Sequence, residues 1–430
     1  MPTSRPFASS RAGISARSRH DYPAKESIDL PCAGPADYAL LNFSDCLDLL
    51  REMINIESVN ASVSHRLFPE RELALFLESR ARALGLKVRR LIVDGDTYNL
   101  LIIAEKSKKD PWIVFDSHLD TVGLDRMTIP PLAREIQDGR MYGRGACDTK
   151  ASGATMLTAL SRTVKSSRLG QNVAVLFTTD EEAGKSGASG FRERAKTDLG
   201  WEPDLVVVGE PTRMRPVVAH NGILRFSIET LGVSVHSSRP ELGRSAISDM
   251  LKVVAALEDE YAPSLKMAHP LTGTPRCSVN VIHGGSQFNV VPGSCRIEVD
   301  RRLTPDEDVN TVHREFESYL ASLGSRISGL DIQIVEVKSE EPMVPLRTDE
   351  ILQWLGPTLE QHQIPAEPLG APYGTNAGKY TEVGWPAVVL GPGDISQAHT
   401  ADEWIDLHEI NLAIEVYSTL MQTPFSPREI

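Results

Sequence analysis

The chain has 430 residues, of which 41% are hydrophobic and 24% charged, and its formal net charge is −13. This chain is longer than one that usually folds around a single hydrophobic core, so we expect two domains. The acidic balance argues against nucleic acid and anionic membrane as partners, because both are bound through basic patches. No apolar run approaches the length that is needed to span a bilayer.

The cysteines are scattered and include no CxxC pair: Cys32, Cys46, Cys147, Cys277 and Cys295. They predict neither a disulfide framework nor a zinc finger, and they favour a reducing, cytoplasmic setting. Residues 1–38 are predicted to be a disordered tail. Its first twenty residues are rich in arginine and serine, which is also typical of an organelle-targeting segment. Pro2, Pro6 and Gly13 interrupt any amphipathic helix there, so we favour the tail.

From residue 39 to 221 the sequence alternates between helix and strand patterns. Ser44 is placed to cap a first helix, and a second helix is expected from about Glu70 to Gly85. The runs YNLLIIAEK, WIVFDSH, VAVLFTT and DLVVVGE are apolar on both faces, which indicates strands of a sheet covered by helices on each side. The segment is therefore predicted to be an α/β domain with a mostly parallel sheet flanked by helices.

The pattern changes at Gly222. Over residues 222–337 it follows the order β-α-β-β-α-β, which predicts a self-contained, two-layer α+β unit. Over residues 338–430 it returns to a long helix, the strand PAVVL and a final helix. The sequence thus predicts an α/β domain interrupted by an inserted α+β domain.

His118 and Asp120 lie two residues apart at the end of a predicted buried strand. A metal-bound imidazole usually donates its other N–H to a carboxylate, which fixes its tautomer and basicity. His118 as a metal ligand and Asp120 as the residue that orients it fit this spacing. An HxD pair alone is weak evidence for such a site.

Asp148 lies in the tight turn GRGACDTK. A carboxylate can bridge two cations by giving one oxygen to each, and Asp148 is the best-placed single aspartate for that role. The alternative is that it caps the following helix, and the two roles are compatible.

Glu181 and Glu182 follow the predicted strand VAVLFTT. Adjacent residues at a strand end project in opposite senses, so one carboxylate can bind a metal while its neighbour faces the substrate. Metal-assisted hydrolysis needs a general base, for which we predict Glu181, with Glu182 as a ligand. The alternative is a solvated acidic loop, which is the usual setting of a DEE sequence.

Two further candidates end or follow strands, namely Glu210 in VVVGEPT and His399 in the loop after PAVVLGPG. A strand-end acid and a loop histidine are the ordinary alternatives. Strand ends of an open α/β sheet are where ligands collect. Oxygen and nitrogen donors without a thiolate suit zinc, cobalt or manganese, so we expect a hydrolytic site with two divalent metal ions.

Seven blocks of the sequence, in order, resemble the family of co-catalytic metallopeptidases and aminoacylases. This family includes acetylornithine deacetylase, succinyl-diaminopimelate desuccinylase, aminoacylase-1 and glutamate carboxypeptidase. The blocks are HLDT (His118 to Thr121), YGRGACDTK (Tyr142 to Lys150), TTDEEAGKSGA (Thr178 to Ala188), GEPT (Gly209 to Thr212), HSSRPELGRSAI (His236 to Ile247), NVVPG (Asn289 to Gly293) and GPGDISQAHTADE (Gly391 to Glu403).

The resemblance implies a role for each matched position. One metal would be held by His118, Asp148 and Glu210, and the other by His399, Asp148 and Glu182. Glu181 would be the general base, and Asp120 would orient His118. The remaining implied residues are His236, which stabilises the oxyanion from the other subunit of a dimer, and Asn289, Arg302 and Thr375, which contact the substrate. Arg302 would pair with the substrate's free carboxylate.

We therefore expect a two-metal amidohydrolase, with zinc favoured over cobalt or manganese, that forms a homodimer through the inserted lid domain. Its predicted substrate is a small N-acyl amino acid with a free carboxylate, and the GTNAGKY loop (Gly374 to Tyr380) and the GEPT block favour the deacylase type. A dipeptidase or carboxypeptidase of the same family is the enzymatic alternative. A non-catalytic homologue that binds amino-acid derivatives is the alternative from another class.

Overall fold

The computed structural model describes residues 41–133 and 135–426, so the predicted tail over residues 1–38 lies outside the described residues. The α-helices of the described chain are α1 (Phe43–Asn55), α2 (Ala61–Ser64), α3 (Arg71–Ala83), α4 (Lys150–Lys165), α5 (Ser186–Arg194), α6 (Ala246–Ala256), α7 (Ala262–Ser264), α8 (Val309–Arg326), α9 (Thr348–Gln361), α10 (Ala377–Thr381) and α11 (Leu407–Gln422). None of them combines the length and the apolar character that a membrane span requires.

The β-strands of the described chain are β1 (Lys87–Asp94), β2 (Thr97–Ala104), β3 (Trp112–His118), β4 (Ile136–Gln137), β5 (Arg140–Tyr142), β6 (Asn172–Thr178), β7 (Leu205–Val208), β8 (Val217–His220), β9 (Gly222–Leu231), β10 (Arg276–Gly284), β11 (Ser294–Leu303), β12 (Asp331–Glu340), β13 (Leu369–Ala371), β14 (Ala387–Val389) and β15 (Trp404–Asp406).

The largest sheet has the strand order β1-β2-β6-β3-β7-β14-β8-β13. Its centre, β6-β3-β7-β14, is parallel throughout, as predicted. β1 and β2 extend one side with antiparallel pairs, and β8 pairs antiparallel to β14. The polar, exposed positions of β1 explain why its sequence gave no strand prediction.

Helices cover both faces of this sheet, which confirms the reading of its doubly apolar strands. In β3, Ile113 and Phe115 pack into a core formed with α1, α3, α4, α9 and α11, whereas Val114 packs into a second core with α5 and α10. Side chains therefore alternate between two buried layers. Burying one such side chain stabilises the fold by about 1.5–3 kcal/mol.

The first helix begins earlier than Ser44, which was wrongly predicted as its cap. Asn42 is the N-cap, and its side chain accepts a hydrogen bond from the backbone N–H of Asp45. The Asp45 carboxylate accepts one from the backbone N–H of Asn42 in return. This reciprocal pair satisfies two N–H groups that would otherwise lack partners, whereas Ser44 lies inside the helix.

The inserted segment forms a separate antiparallel sheet with the order β10-β11-β9-β12. With α6 between β9 and β10, and α8 between β11 and β12, it has the predicted β-α-β-β-α-β order. Both helices pack on one face, where Phe226, Val253 and Phe316 share a core. β12 runs to Glu340, three residues beyond the boundary predicted at 337. We call this unit the lid.

A small antiparallel sheet, β15-β5-β4, was not predicted. Its strands have two or three residues each, which is too short for a periodic pattern. β5 directly precedes the turn that carries Asp148, and β15 follows the segment that carries His399. Met141 of β5 pairs with Ile405 of β15, so this sheet brings the two segments together.

Candidate metal centre

Three of the predicted ligands and the predicted base lie where neighbouring parallel strands end. His118 is the last residue of β3, Glu181 and Glu182 follow β6, and Glu210 follows β7. β3 lies between β6 and β7 and is parallel to both. These strand ends therefore meet at one edge of the sheet, which is why residues that are distant in sequence converge there.

His118 is held through both ring nitrogens. Nδ1 lies 2.9 Å from the backbone carbonyl oxygen of Asp120, so we assign the ring proton to Nδ1, which donates to that oxygen. Nε2 lies 3.1 Å from Asp148 Oδ1 and 4.0 Å from Glu210 Oε1 and is the nitrogen available to a metal. The Asp120 carboxylate, which was predicted to orient the ring, is farther away, with Oδ1 3.5 Å from Nδ1. The backbone carbonyl makes the short contact.

Asp148 lies between the two histidines. Its Oδ1 is 3.1 Å from His118 Nε2, and its Oδ2 is 3.3 Å from His399 Nε2. His399 Nε2 is also 3.2 Å from Glu182 Oε2. Two adjacent donor sets therefore share Asp148, one with His118 and Glu210 and the other with His399 and Glu182. One carboxylate oxygen on each side is the arrangement that a bridging ligand requires.

The helix-capping alternative for Asp148 finds no support in the structure. The N-cap of α4 is Thr149, and no side chain forms a capping hydrogen bond there.

The turn that carries Asp148 needs glycine, because Gly145 has a φ of +81°, in the left-handed region that favours glycine.

Glu403 organises this turn and was not singled out from the sequence. Its buried carboxylate accepts hydrogen bonds from the backbone N–H groups of Gly145, Cys147 and Asp148, at 2.8 to 3.1 Å. The Arg144 guanidinium donates to it at 2.8 Å. Glu403 ends the block that contains His399, and its position four residues after that histidine was the available signal. Glu403 therefore holds the backbone at Asp148, the predicted bridging residue.

Asp120 holds the Glu181–Glu182 loop as well as His118. Its carboxylate accepts the backbone N–H groups of Glu181 and Glu182, each at 3.0 Å, and the Asn60 side-chain amide at 2.8 Å. Asn60 also donates to Asp180 Oδ1 at 3.0 Å. Asp180 has a left-handed φ of +61°, a costly conformation for a residue other than glycine that these contacts stabilise.

The site concentrates buried carboxylates, and their pKa values reflect it. Burial and then repulsion from Asp148 raise the pKa of Glu182 to about 7, and they raise the pKa of Glu210 well above its ordinary range. Burial opposes the charging of His118, but the Asp120 and Asp148 carboxylates outweigh it and raise its pKa. The cluster thus contains more buried negative charge than its own side chains stabilise well.

This donor set fits divalent metal ions. His118, Asp148 and Glu182 offer ligand atoms that all lie within 4.8 Å of one another, and so do His118, Glu181 and Glu210. The first triad combines residues of both donor sets, and the second adds Glu181, the predicted base, to His118 and Glu210. The whole cluster is compact, and Asp148 is the residue that both donor sets share. Imidazole and carboxylate ligands suit zinc, cobalt or manganese, and cations would balance the buried charge.

Two of the predicted residues, His236 and Asn289, lie together on the lid. Ser237 N–H donates to the Asn289 carbonyl oxygen at 3.0 Å. The backbones of His236 and Val290 form an isolated antiparallel β-bridge. His236 Nδ1 accepts the Ser238 N–H at 3.1 Å, so we assign the ring proton to Nε2. Within residues 41–133 and 135–426, neither side chain forms a hydrogen bond or an ion pair with the metal-site residues.

Arg302 and Thr375 lie in different surroundings. Arg302 Nε donates to Asp300 Oδ1 at 2.6 Å, and both line a groove of about 820 Å³ that reaches Asn221 and Pro372 of the α/β domain. Thr375 is buried, its N–H donates to His220 Nε2 at 3.2 Å, and its hydroxyl accepts the Ala377 N–H at 3.1 Å. Arg302 therefore faces open space, whereas the Thr375 side chain is engaged within the fold.

Comparisons with known proteins identify the family of the chain. The model of peptidase family M20/M25/M40 matches residues 114–423. The chain is 29% identical over 378 residues to acetylornithine deacetylase from Myxococcus xanthus, an alignment that covers 85% of this chain and 95% of that protein.

Solved structures share the fold. A tripeptidase from Staphylococcus aureus superposes with a TM-score of 0.71 at 20% identity, over 89% of this chain and 99% of that one. A dinuclear metal-binding peptidase from Bacillus subtilis superposes with a TM-score of 0.66 at 14% identity, over 88% of this chain and 97% of that one.

Proposed function

Because the chain belongs to peptidase family M20/M25/M40, we propose that it is a two-metal amidohydrolase that cleaves the amide of an N-acyl amino acid with a free carboxylate. The observation that carries this proposal is Asp148, whose two oxygens face two histidine-carboxylate donor sets beside Glu181. The similarity to acetylornithine deacetylase over most of both chains supports the deacylase type.

The residues of the chain divide the reaction between them. Two divalent cations, for which we propose zinc with cobalt or manganese as alternatives, would polarise a carbonyl oxygen and lower the pKa of water. Glu181 takes the proton of the attacking water and returns it to the leaving amine. The Asp120 carboxylate accepts its backbone N–H, which holds the loop from which the Glu181 side chain projects. Arg302 pairs with the free carboxylate of the substrate through its terminal nitrogens.

We also propose a homodimer formed through the lid, in which His236 acts on the partner's site. β10 is an edge strand of the lid sheet and exposes Val281 and Ile282, and an exposed apolar edge favours pairing with another chain. Among the described residues, the His236 and Asn289 side chains form no hydrogen bond or ion pair with the proposed metal site of their own chain, which favours action on the partner's site. The His236 Nε2–H is free to donate to an oxyanion.

We also propose a cytoplasmic setting. The cysteines that the structure describes are free thiols, which supports it.

The proposal is tested by Glu181→Gln in protein reconstituted with zinc, cobalt or manganese. Turnover of a panel of N-acetyl, N-succinyl and N-formyl amino acids should fall by at least ~10²–10⁴, the contribution of general acid–base catalysis. Native mass spectrometry should still find two metals, because the proposed ligands are untouched. The exposed glutamate change Glu72→Gln is the matched control.

Dipeptides belong in the same panel. Cleavage of dipeptides in preference to every N-acyl amino acid would replace the deacylase assignment with a dipeptidase. Near-normal turnover by Glu181→Gln with two metals bound would remove Glu181 from the base role. Full activity of demonstrably metal-free protein would end the two-metal proposal.

A further inference from the structure

A buried lysine contacts the proposed base. The Lys185 ammonium nitrogen lies 3.1 Å from Glu181 Oε1 and 3.0 Å from Glu340 Oε2, and it donates to the Glu181 carbonyl oxygen at 3.1 Å. Its side chain is only 7% exposed. Lys185 thus holds both ends of the base residue, its backbone and its carboxylate.

The helix that follows Lys185 does not explain why the Lys185 ammonium group is buried. It precedes α5 with a left-handed φ of +53°, a conformation that is unfavourable for a residue with a Cβ. Its side chain makes no capping hydrogen bond to the helix. Burying an ammonium group is also costly unless good partners compensate, and Glu181 and Glu340 are those partners.

Glu340 belongs to the connection between the lid and the α/β domain. It is the last residue of β12 and pairs with Ile223, the second residue of β9. β9 and β12 are the first and last strands of the lid, so the chain enters and leaves the lid beside this residue. On the α/β side of the connection, His220 and Met343 exchange backbone hydrogen bonds.

We propose that Lys185 is a positioning residue that fixes the Glu181 carboxylate and ties it to Glu340, so that the orientation of the base depends on the placement of the lid. This inference rests on the proposed function, which makes Glu181 the base. Without the ammonium group, the Glu181 carboxylate loses its only ion pair with a lysine or arginine among the described residues and can rotate away from the reacting water. Substrate binding through Arg302 does not involve this contact.

The test measures kcat, KM and metal content for Lys185→Met, Lys185→Arg and Glu340→Gln. Methionine keeps much of the side-chain volume and removes the charge. We expect Lys185→Met to lower kcat by about 10- to 100-fold, since small misplacements of a reacting group cost up to that much, with KM and two bound metals retained. Lys185→Arg should recover most of kcat because it restores a cation between the two carboxylates.

Glu340→Gln should lower kcat less than Lys185→Met. Combined with Lys185→Met it should cause no further fall, because Glu340 acts through the lysine and the two changes are not independent. Lys379→Met is the matched control. It breaks the neighbouring ion pair with Glu341 and leaves the contacts of Glu181 intact, so kcat should stay near that of the wild type.

Several outcomes overturn the inference. These are a wild-type kcat in Lys185→Met, a loss of kcat explained by lost metal, or additive losses in the double variant. If Lys185→Met does not fold, Glu340→Gln decides alone, and an unchanged kcat there rejects the link to the lid. An inactive wild type with two metals bound rejects the proposed function instead, which separates the two failures.

Discussion

The proposed metal centre and the proposed lid residues, His236 and Asn289, differ in how completely one chain assembles them. Five side chains converge at one edge of the central sheet: His118, Asp148, Glu182, Glu210 and His399. The histidine Nε2 atoms lie 3.1 to 4.0 Å from the carboxylate oxygens that they contact. His236 and Asn289 instead lie on lid loops with no hydrogen bond or ion pair to that cluster among the described residues.

The difference lies in what holds each group. His118, Glu182 and Glu210 follow buried parallel strands, and the Asp120 and Glu403 carboxylates hold the backbones of Glu182 and Asp148. His236 is exposed and, within the part of the chain that the structure describes, is held by its own loop and that of Asn289. A site needs a rigid scaffold where metals bind, whereas groups that act on the transition state can be delivered by a domain or subunit.

The largest effect is expected at the residue that both donor sets share. Asp148→Ala should abolish turnover and bind neither metal, whereas His118→Ala and His399→Ala should each weaken one metal more than the other. Inductively coupled plasma and native mass spectrometry measure the stoichiometries. Two firmly bound metals in Asp148→Ala would contradict the bridging assignment.

His236→Ala should lower turnover by ~10²–10³, the usual cost of removing one oxyanion donor. Its fold and metal content should stay unchanged, because the residue touches no ligand. The decisive measurement mixes His236→Ala with Glu181→Gln under conditions of subunit exchange. In a dimer with the donor in trans, each hybrid contains one intact site, so activity should exceed that of either parent. Proven exchange without recovery would mean that His236 serves its own chain or none.

Arg302→Gln should raise KM by about 10- to 100-fold, because a hydrogen bond to a charged group contributes about 1.5–3 kcal/mol. The same substrate with its carboxylate converted to an amide should be affected far less, since the lost partner is the carboxylate. Arg302→Lys is the conservative control and should retain part of the affinity without the two-pronged geometry. Equal losses on both substrates would show that Arg302 does not read the carboxylate.

The smallest effect concerns His220, at the lid connection. Burial lowers its pKa from 6.5 to about 4, so the folded state keeps it neutral while the unfolded state takes up a proton. Its contribution to stability is therefore complete above pH 6.5 and is lost as the pH falls towards 4. The difference between these pKa values corresponds to at most about 3 kcal/mol.

Urea unfolding of metal-free protein between pH 7 and 4 checks this expectation. Compared with His220→Gln, the wild type should lose more unfolding free energy over that interval. Parallel pH profiles for the two proteins would show that His220 does not titrate differently in the folded state.

Much of the fold was readable from the sequence because its strongest patterns are long. The doubly apolar strands predicted a covered parallel sheet, and the β-α-β-β-α-β order predicted the lid. The strands that were not predicted, such as β5 and β15, have three residues each. Their pairing depends on a long-range contact between Met141 and Ile405 rather than on a local pattern.

The sequence by itself determined which side chains could bind metals and accept a proton, because those residue types follow buried strands in recognisable blocks. Only the tertiary structure decided how they are held. It showed that the Asp120 carbonyl, rather than its carboxylate, makes the short contact with His118, that Glu403 supports the Asp148 turn, and that Lys185 joins Glu181 to Glu340. The contacts of Glu403 with the Asp148 turn and of Lys185 with Glu340 join segments far apart along the chain, and their partners are set by packing, which no local sequence pattern encodes.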